Sequence, residues 1–410
     1  MKFTSTLALG IALALGGVSI AAAPAQAAQE EAKERKFNFS EKARPSLAEL
    51  QKAAQAGDQA AFQTALAAAQ AAAQNNDDRY VIAQFQLNNA IQTNNEDGKL
   101  AAIEAMIQSG GATQAELPTL YSNLGAIAYN KGDYAKAAQA FKQLLQLQPD
   151  NKDAMTNLAA ALSQQGNPAE AAALVEQRLQ AAEAAGETPP EGLYKQALAL
   201  AYEAKSPKAI ELTRELIAAY PTAQNWRDGL MIFREMRNPT GDANLDLMRL
   251  MRAANALNGE RDYYELAEAA NTKGLPGEAK AVIDAGVAAK AINATQPAFK
   301  DLLASASSKV EQDRASLPGL EKKAMASADG KLALATGDAY YGYGDYAKAA
   351  ALYRAALEKG SIDANIANTR LGMALGLAGQ KAEAEAAFKA VTGPRADLAG
   401  YWLLWLGQKA

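Results

Sequence analysis

Carboxylates dominate the side chains of this chain that could do acid–base chemistry. Asp and Glu together number 45, while histidine and cysteine are both absent. Without histidine the commonest general base and the Ser-His-Asp arrangement are excluded. Without cysteine there is no thiolate nucleophile, no disulfide, no lipid-modified cysteine and little scope for structural zinc. No serine is followed three residues later by lysine, and no phosphate-binding glycine loop or dinucleotide fingerprint is present. Residue types alone leave a two-carboxylate glycoside hydrolase open. They also offer a calcium-like loop at residues 93–104, with Asn95, Asp97, Gly98, Leu100 and Glu104 at suitable offsets. That loop starts on Thr93, where the motif needs Asp, and Lys99 sets a positive charge inside it. No cofactor or metal site is therefore assigned, and the chain is read as a non-enzyme.

The elements that would carry these groups are helices in pairs. In residues 121–149, Tyr121, Leu124, Gly125 and Ala128 fall at i, i+3, i+4 and i+7, one apolar face of a helix. Gly132-Asp133 then breaks the pattern: glycine ends a helix in the left-handed region and Asp caps the next one. Ala137, Phe141, Leu144 and Leu145 form a second face, and Pro149 stops it. The heptapeptide Gly-Asp-Tyr-Ala-Lys-Ala-Ala occurs at 132–138 and again at 344–350. Ala137 and Phe141 recur 34 residues on as Ala171 and Val175, and Ala349 and Tyr353 recur 35 residues on as Ala384 and Phe388.

A repeated helix-turn-helix of about 34 residues resembles the tetratricopeptide repeat family. The resemblance is clear over residues 118–182 and 330–393, looser over 192–222 and 260–292, and faint over 46–110. It implies an all-α solenoid of antiparallel helix pairs coiled as a right-handed superhelix. In such proteins, peptide or protein segments commonly lie on the concave side, lined by the first helix of each pair. Helical geometry puts Ser122, Tyr129, Asn130, Thr156, Ser163 and Gln164 on that side, with Tyr264, Asp338 and Tyr341 as their C-terminal counterparts. Phenols, hydroxyls and amides there suit an extended peptide. One subfamily clamps C-terminal carboxylates with lysine and asparagine. Asn157 fits one clamp position, but Ser122 and Ala126 stand where the lysine and a second asparagine belong.

The chain is then expected to divide as follows. Residues 1–27 read as a secretory signal peptide with an Ala-Gln-Ala cleavage site, the cut falling near Ala27. Residues 28–45 read as a flexible arm in which Phe37 and Phe39 could anchor a partner. An N-terminal array covers 46–225, opened by a Ser46/Glu49 capping box. Connecting helices cover 226–258, and a C-terminal array with a capping helix covers 259–410. Helices at 297–314 and 317–327 are expected with a break between them. Leu398, Tyr401, Trp402 and Trp405 form an apolar stripe that caps the array. The leader implies a periplasmic or secreted protein without a membrane span once it is cleaved. A net charge of −4 argues against nucleic acid, which needs a basic patch. The reading that follows is a non-catalytic interaction scaffold of the bacterial cell envelope for protein or peptide partners. The alternative is a glycan-binding or glycan-processing protein of the cell wall or exopolysaccharide pathway.

Overall fold

A computed structural model describes residues 35–409. Among them are twenty α-helices and no strand, and consecutive helices pack as the pairs of a solenoid. None of these helices is long and apolar enough to cross a membrane. The chain parts into two compact units between Ala185 and Gly186. The leader, residues 1–27, and residues 28–34 of the arm lie outside the described residues.

Unit 1 comprises α1 (Arg44–Ala56), α2 (Gln59–Ala72), α3 (Asn76–Gln92), α4 (Glu96–Gln108), α5 (Leu117–Asn130), α6 (Tyr134–Leu147), α7 (Lys152–Gln164) and α8 (Pro168–Ala184). Three local expectations need correction here. Ser46 lies inside α1 rather than capping it, because the chain enters the helix through Pro45 at its first turn. The calcium-like stretch is not a loop: α4 starts at Glu96, and Asn95 caps it by accepting the Gly98 N–H at 2.9 Å. The arm is fixed over residues 35–40. The Arg35 guanidinium lies near both the Phe37 and Tyr80 rings, at 4.5 and 4.4 Å from their centroids, and its Nη1 donates to Glu116 at 2.6 Å. Phe37 stacks on Phe39 and on Tyr80, so both phenylalanines are spent on unit 1 itself.

Unit 2 comprises α9 (Glu191–Glu203), α10 (Lys208–Ala219), α11 (Ala223–Arg237), α12 (Asp242–Ala253), α13 (Gly259–Thr272), α14 (Pro276–Ala288), α15 (Pro297–Ala326), α16 (Lys331–Gly342), α17 (Tyr346–Lys359), α18 (Ala364–Leu377), α19 (Lys381–Lys389) and α20 (Ala396–Gly407). The expected connecting helices are α11 and α12, and they are core rather than joint. Trp226, Leu230, Phe233 and the run Leu245 to Met251 are buried in the unit's apolar core. The expected break near residue 316 does not occur: α15 runs 30 residues with Pro318 inside it. Its buried residues Phe299, Leu302, Ala306, Leu317 and Ala324 keep helical spacing across the proline. That continuous face outweighs the one hydrogen bond the proline removes.

The helix α20 does more than cap. Trp402 stacks on Phe388 of α19 at 5.9 Å. Tyr401 shares a hydrogen bond with Thr213 of α10, and the Trp405 indole donates to the Ala253 carbonyl of α12 at 2.9 Å. Gln408 donates to the Ile217 carbonyl at 3.0 Å and accepts from the Trp226 indole at 3.1 Å. The last helix of unit 2 thus returns to its early ones.

The paired helices meet at bare backbone. A Cβ on Gly125 would lie 2.6 Å from the Phe141 ring, and one on Gly372 would lie 2.6 Å from Phe388. Gly337 meets Tyr353 in the same way, at 2.7 Å. We expect Gly125→Ala and Gly372→Ala each to cost about 1–3 kcal/mol through overpacking. Gly319→Ala, in open space on α15, is expected to stabilise by about 0.5–1 kcal/mol instead. Denaturant melts of the three variants check the contrast; a destabilising Gly319→Ala or a silent Gly125→Ala would contradict it.

Candidate functional site

The six expected partner positions of unit 1 remain at or near solvent. Ser122, Tyr129, Thr156 and Ser163 are half-buried, and Asn130 and Gln164 are exposed. They sit on α5 and α7, the first helices of consecutive pairs. The Tyr129 ring packs edge-on against Tyr134 at 5.3 Å, which orients it without covering it. The Thr156 hydroxyl donates to the Lys152 carbonyl and accepts from Arg178, both at 2.9 Å.

Unit 2 treats its counterparts differently, and this corrects the expected placement. Tyr341 is only 7% exposed and lies under the Arg249 guanidinium at 4.6 Å. The Asp338 carboxylate accepts from Arg370 Nη1 at 2.7 Å and from the Tyr353 hydroxyl at 2.8 Å. Tyr264 is half-buried against Phe299, edge-on at 5.6 Å. Asp338 and Tyr264 are half-buried, and of the three only Tyr341 is closed off, by the Arg249 guanidinium.

That guanidinium belongs to one connected network of charge centred on Asp246, which has no exposed surface. Its Oδ1 accepts from Arg249 at 3.0 Å and Arg370 at 3.3 Å, and its Oδ2 accepts from Arg395 at 2.7 Å. Arg249 forks onto Glu278 at 2.8 and 2.5 Å. Arg370 also donates to Asp242 at 2.8 Å, which Lys273 approaches at 3.1 Å. Asp242, Asp246, Glu278 and Asp338 thus balance Arg249, Arg370, Arg395 and Lys273, four charges against four. The network joins α12, α14, α16 and α18 to the turn before α20. Sequence reasoning missed its centre. The available signal was charge embedded in apolar runs: Asp246 and Arg249 sit inside Leu-Asp-Leu-Met-Arg-Leu-Met, and Arg370 precedes Leu-Gly-Met-Ala-Leu.

Protonation follows from this geometry. Burial alone would raise the Asp246 carboxyl, but Arg370, Arg249 and Arg395 outweigh it and hold it below its ordinary 3.8. Asp242 is lowered in the same way, with Arg370 and Lys273 overcoming burial. At Asp338 burial wins over Arg370 and Arg249, and its carboxyl is raised. Burial also pushes the Tyr341 and Tyr353 phenols up.

A second feature of unit 2 is a cleft of about 540 Å³ beside the network, reaching from α12 and α14 to α15 and the α16–α17 turn. In unit 1, a smaller groove of about 280 Å³ runs over α5 between α4 and α6, with Glu104 and Lys136 at its edge.

Asp246→Ala leaves three buried or part-buried guanidiniums without their shared partner. It is expected to cost about 3–5 kcal/mol, whereas Lys389→Ala, at an exposed pair, costs under about 1 kcal/mol. Equal losses in denaturant melts would show that the network is not structural. The pH dependence has a defined sign. Asp242 and Asp246 titrate lower folded than unfolded, so their contribution is present above pH 3.8 and is lost as the pH falls through their folded values. Asp338 acts oppositely: it disfavours the folded state as the pH rises past 3.8 and relaxes on acidification. Thermal melts across the acid range should therefore drop steeply below pH 3.8, and Asp246→Asn should flatten that limb.

Comparison with known proteins agrees on the repeats. Residues 128–185 and residues 334–399 each match a family model described as tetratricopeptide repeat. No curated protein sequence matches the chain significantly. Among solved structures, Naa15/Naa10 bound to HypK-THB is 17% identical over 86% of this chain, with a TM-score of 0.34. The chain spans 65% of that protein's length. A tetratricopeptide repeat protein from Parabacteroides merdae ATCC 43184 is 15% identical, with 72% of this chain and 100% of that one covered and a TM-score of 0.26. A monomeric mutant of IFIT1 with Gppp-AAAA is 15% identical, covering 83% of this chain and 78% of that one, with a TM-score of 0.24. Superpositions this loose carry nothing about function. Two stretches of the chain, residues 128–185 and 334–399, are tetratricopeptide repeats within an all-helical fold.

Proposed function

We propose that the chain is a non-catalytic protein-interaction scaffold of a bacterial cell envelope, exported by its leader and binding an extended partner segment along α5 and α7. One observation carries the reading. The same position of the two repeat stretches has different fates: Tyr129 in unit 1 stays near solvent, while Tyr341 in unit 2 is buried under Arg249. Hydroxyls and amides one or two turns apart can bond a peptide backbone, and Tyr129 offers a ring already oriented by Tyr134. The glycan-processing alternative needs two carboxylates facing a cleft and at liberty to move protons. In unit 2 the two carboxylates that line the cleft, Glu278 and Asp284, are paired with Arg249 and Lys280.

The test is a crosslinking pull-down from an envelope extract with residues 28–410 as bait, beside a Tyr129→Ala/Asn130→Ala variant. A discrete protein should be captured by the parent and weakened about tenfold or more in the variant, as for loss of an aromatic anchor. Capture that ignores the variant would move the partner off α5. Capture of cell-wall polymer alone would overturn the scaffold reading in favour of the glycan one.

A further inference from the structure

The cleft of unit 2 is lined by more cations than carboxylates. Four cations line it, Arg249, Arg252, Lys280 and Arg314, against two carboxylates, Glu278 and Asp284. Arg249 is neutralised by Glu278 at 2.5 Å and Lys280 by Asp284 at 2.6 Å. That leaves Arg252 and Arg314. Arg252 reaches only the Ala281 carbonyl, at a long 3.4 Å, and Arg314 lies over the Tyr343 ring at 5.6 Å. Among the described residues neither meets a carboxylate at ion-pair distance. Two guanidiniums thus face one cleft in a chain whose net charge is −4.

The walls are built to hold still. Tyr343 donates to Asp313 at 2.7 Å, and its ring covers Gly277, where a Cβ would come within 2.5 Å of it. Tyr346 is set edge-on to the buried Tyr341 at 5.4 Å. The Arg249–Glu278 pair beneath belongs to the buried network, so the base of the cleft is rigid. About 540 Å³ is far more than a bare inorganic ion fills and falls in the range of small organic ligands.

We infer that this cleft is a binding site for a small organic anion, a carboxylate or phosphate ester with an aromatic or apolar body. Arg252 and Arg314 take the anionic group, because a guanidinium fork matches the oxygens of carboxylate and phosphate. Tyr343 and Tyr346 contact the body of the ligand. The site is distinct from the partner face on α5 and α7 and does not depend on it.

Calorimetric titration of the full chain with phenyl phosphate, benzoate and inorganic phosphate tests this. At least one organic probe should bind saturably at one site, and Arg252→Gln/Arg314→Gln should weaken it about tenfold or more, the scale of a lost charge-assisted hydrogen bond. Thermal melts of the variant should match the parent. If the double variant does not fold, Arg314→Gln alone carries the test, since Arg314 is exposed. Phenyl phosphate binding better than inorganic phosphate supports the aromatic wall; equal binding overturns the role of the tyrosines. No saturable binding by any probe, or binding unchanged in the variant, overturns the site.

Discussion

Asp246 is the fixed point of unit 2. A carboxylate with no exposed surface is costly to bury, and it is tolerated because three guanidiniums from three parts of the chain converge on it. Such a network adds little net stability over a well-packed apolar core, since desolvation consumes most of the Coulomb gain. What it adds is selectivity. Alanine-rich helices pack in many near-equivalent registers, and apolar contact discriminates weakly among them. A misregistered α18 or α20 would leave Arg370 or Arg395 buried without a carboxylate, which costs far more than a displaced alanine. The ion pairs therefore decide which helices meet, and apolar burial supplies the driving force once they do.

The same logic explains why unit 2 needs its last helix. Each pair of a solenoid buries its apolar face on the next, so an end is always unfinished. In unit 2 the aromatic face of α20 finishes α19 through Trp402 and engages α10 and α12 through Tyr401 and Trp405. Their polar atoms reach Thr213 and the Ala253 carbonyl, so the wide rings are buried with those two groups partnered.

Much of the helix pairing was legible because it is local. Gly132-Asp133 and Gly344-Asp345 act within one turn, and both turns have the same geometry: glycine at φ +81° and +78°, with Asp accepting from the lysine N–H three residues on. The corrections share a different cause. Ser46 and Glu49 have the spacing of a capping box, but the helix already begins at Arg44 with Pro45 in its first turn. Residues 226–258 lack the repeat signature and so looked like a joint, although their apolar content is that of a core. A break between residues 314 and 317 is the local expectation, yet the buried face from Phe299 to Ala324 runs unbroken through a helix of 30 residues with Pro318 inside it.

The site was less legible than the fold because charge acts across the chain. Asp246 meets Arg370 over 124 residues and Arg395 over 149, so no local window contains the interaction. Tyr129 and Tyr341 occupy the same position of the same repeated motif, each edge-on to the tyrosine five residues on. Helical phase treats them alike. Their exposures differ because Arg249 arrives over Tyr341 from α12, held by Asp246 and Glu278, and carries its charge onto the ring. A repeat motif thus sets which residues face the binding side of a helix pair. Whether that side stays open is set by charges elsewhere in the unit, and these can only be found by asking where a charge inside an apolar run must have its partner.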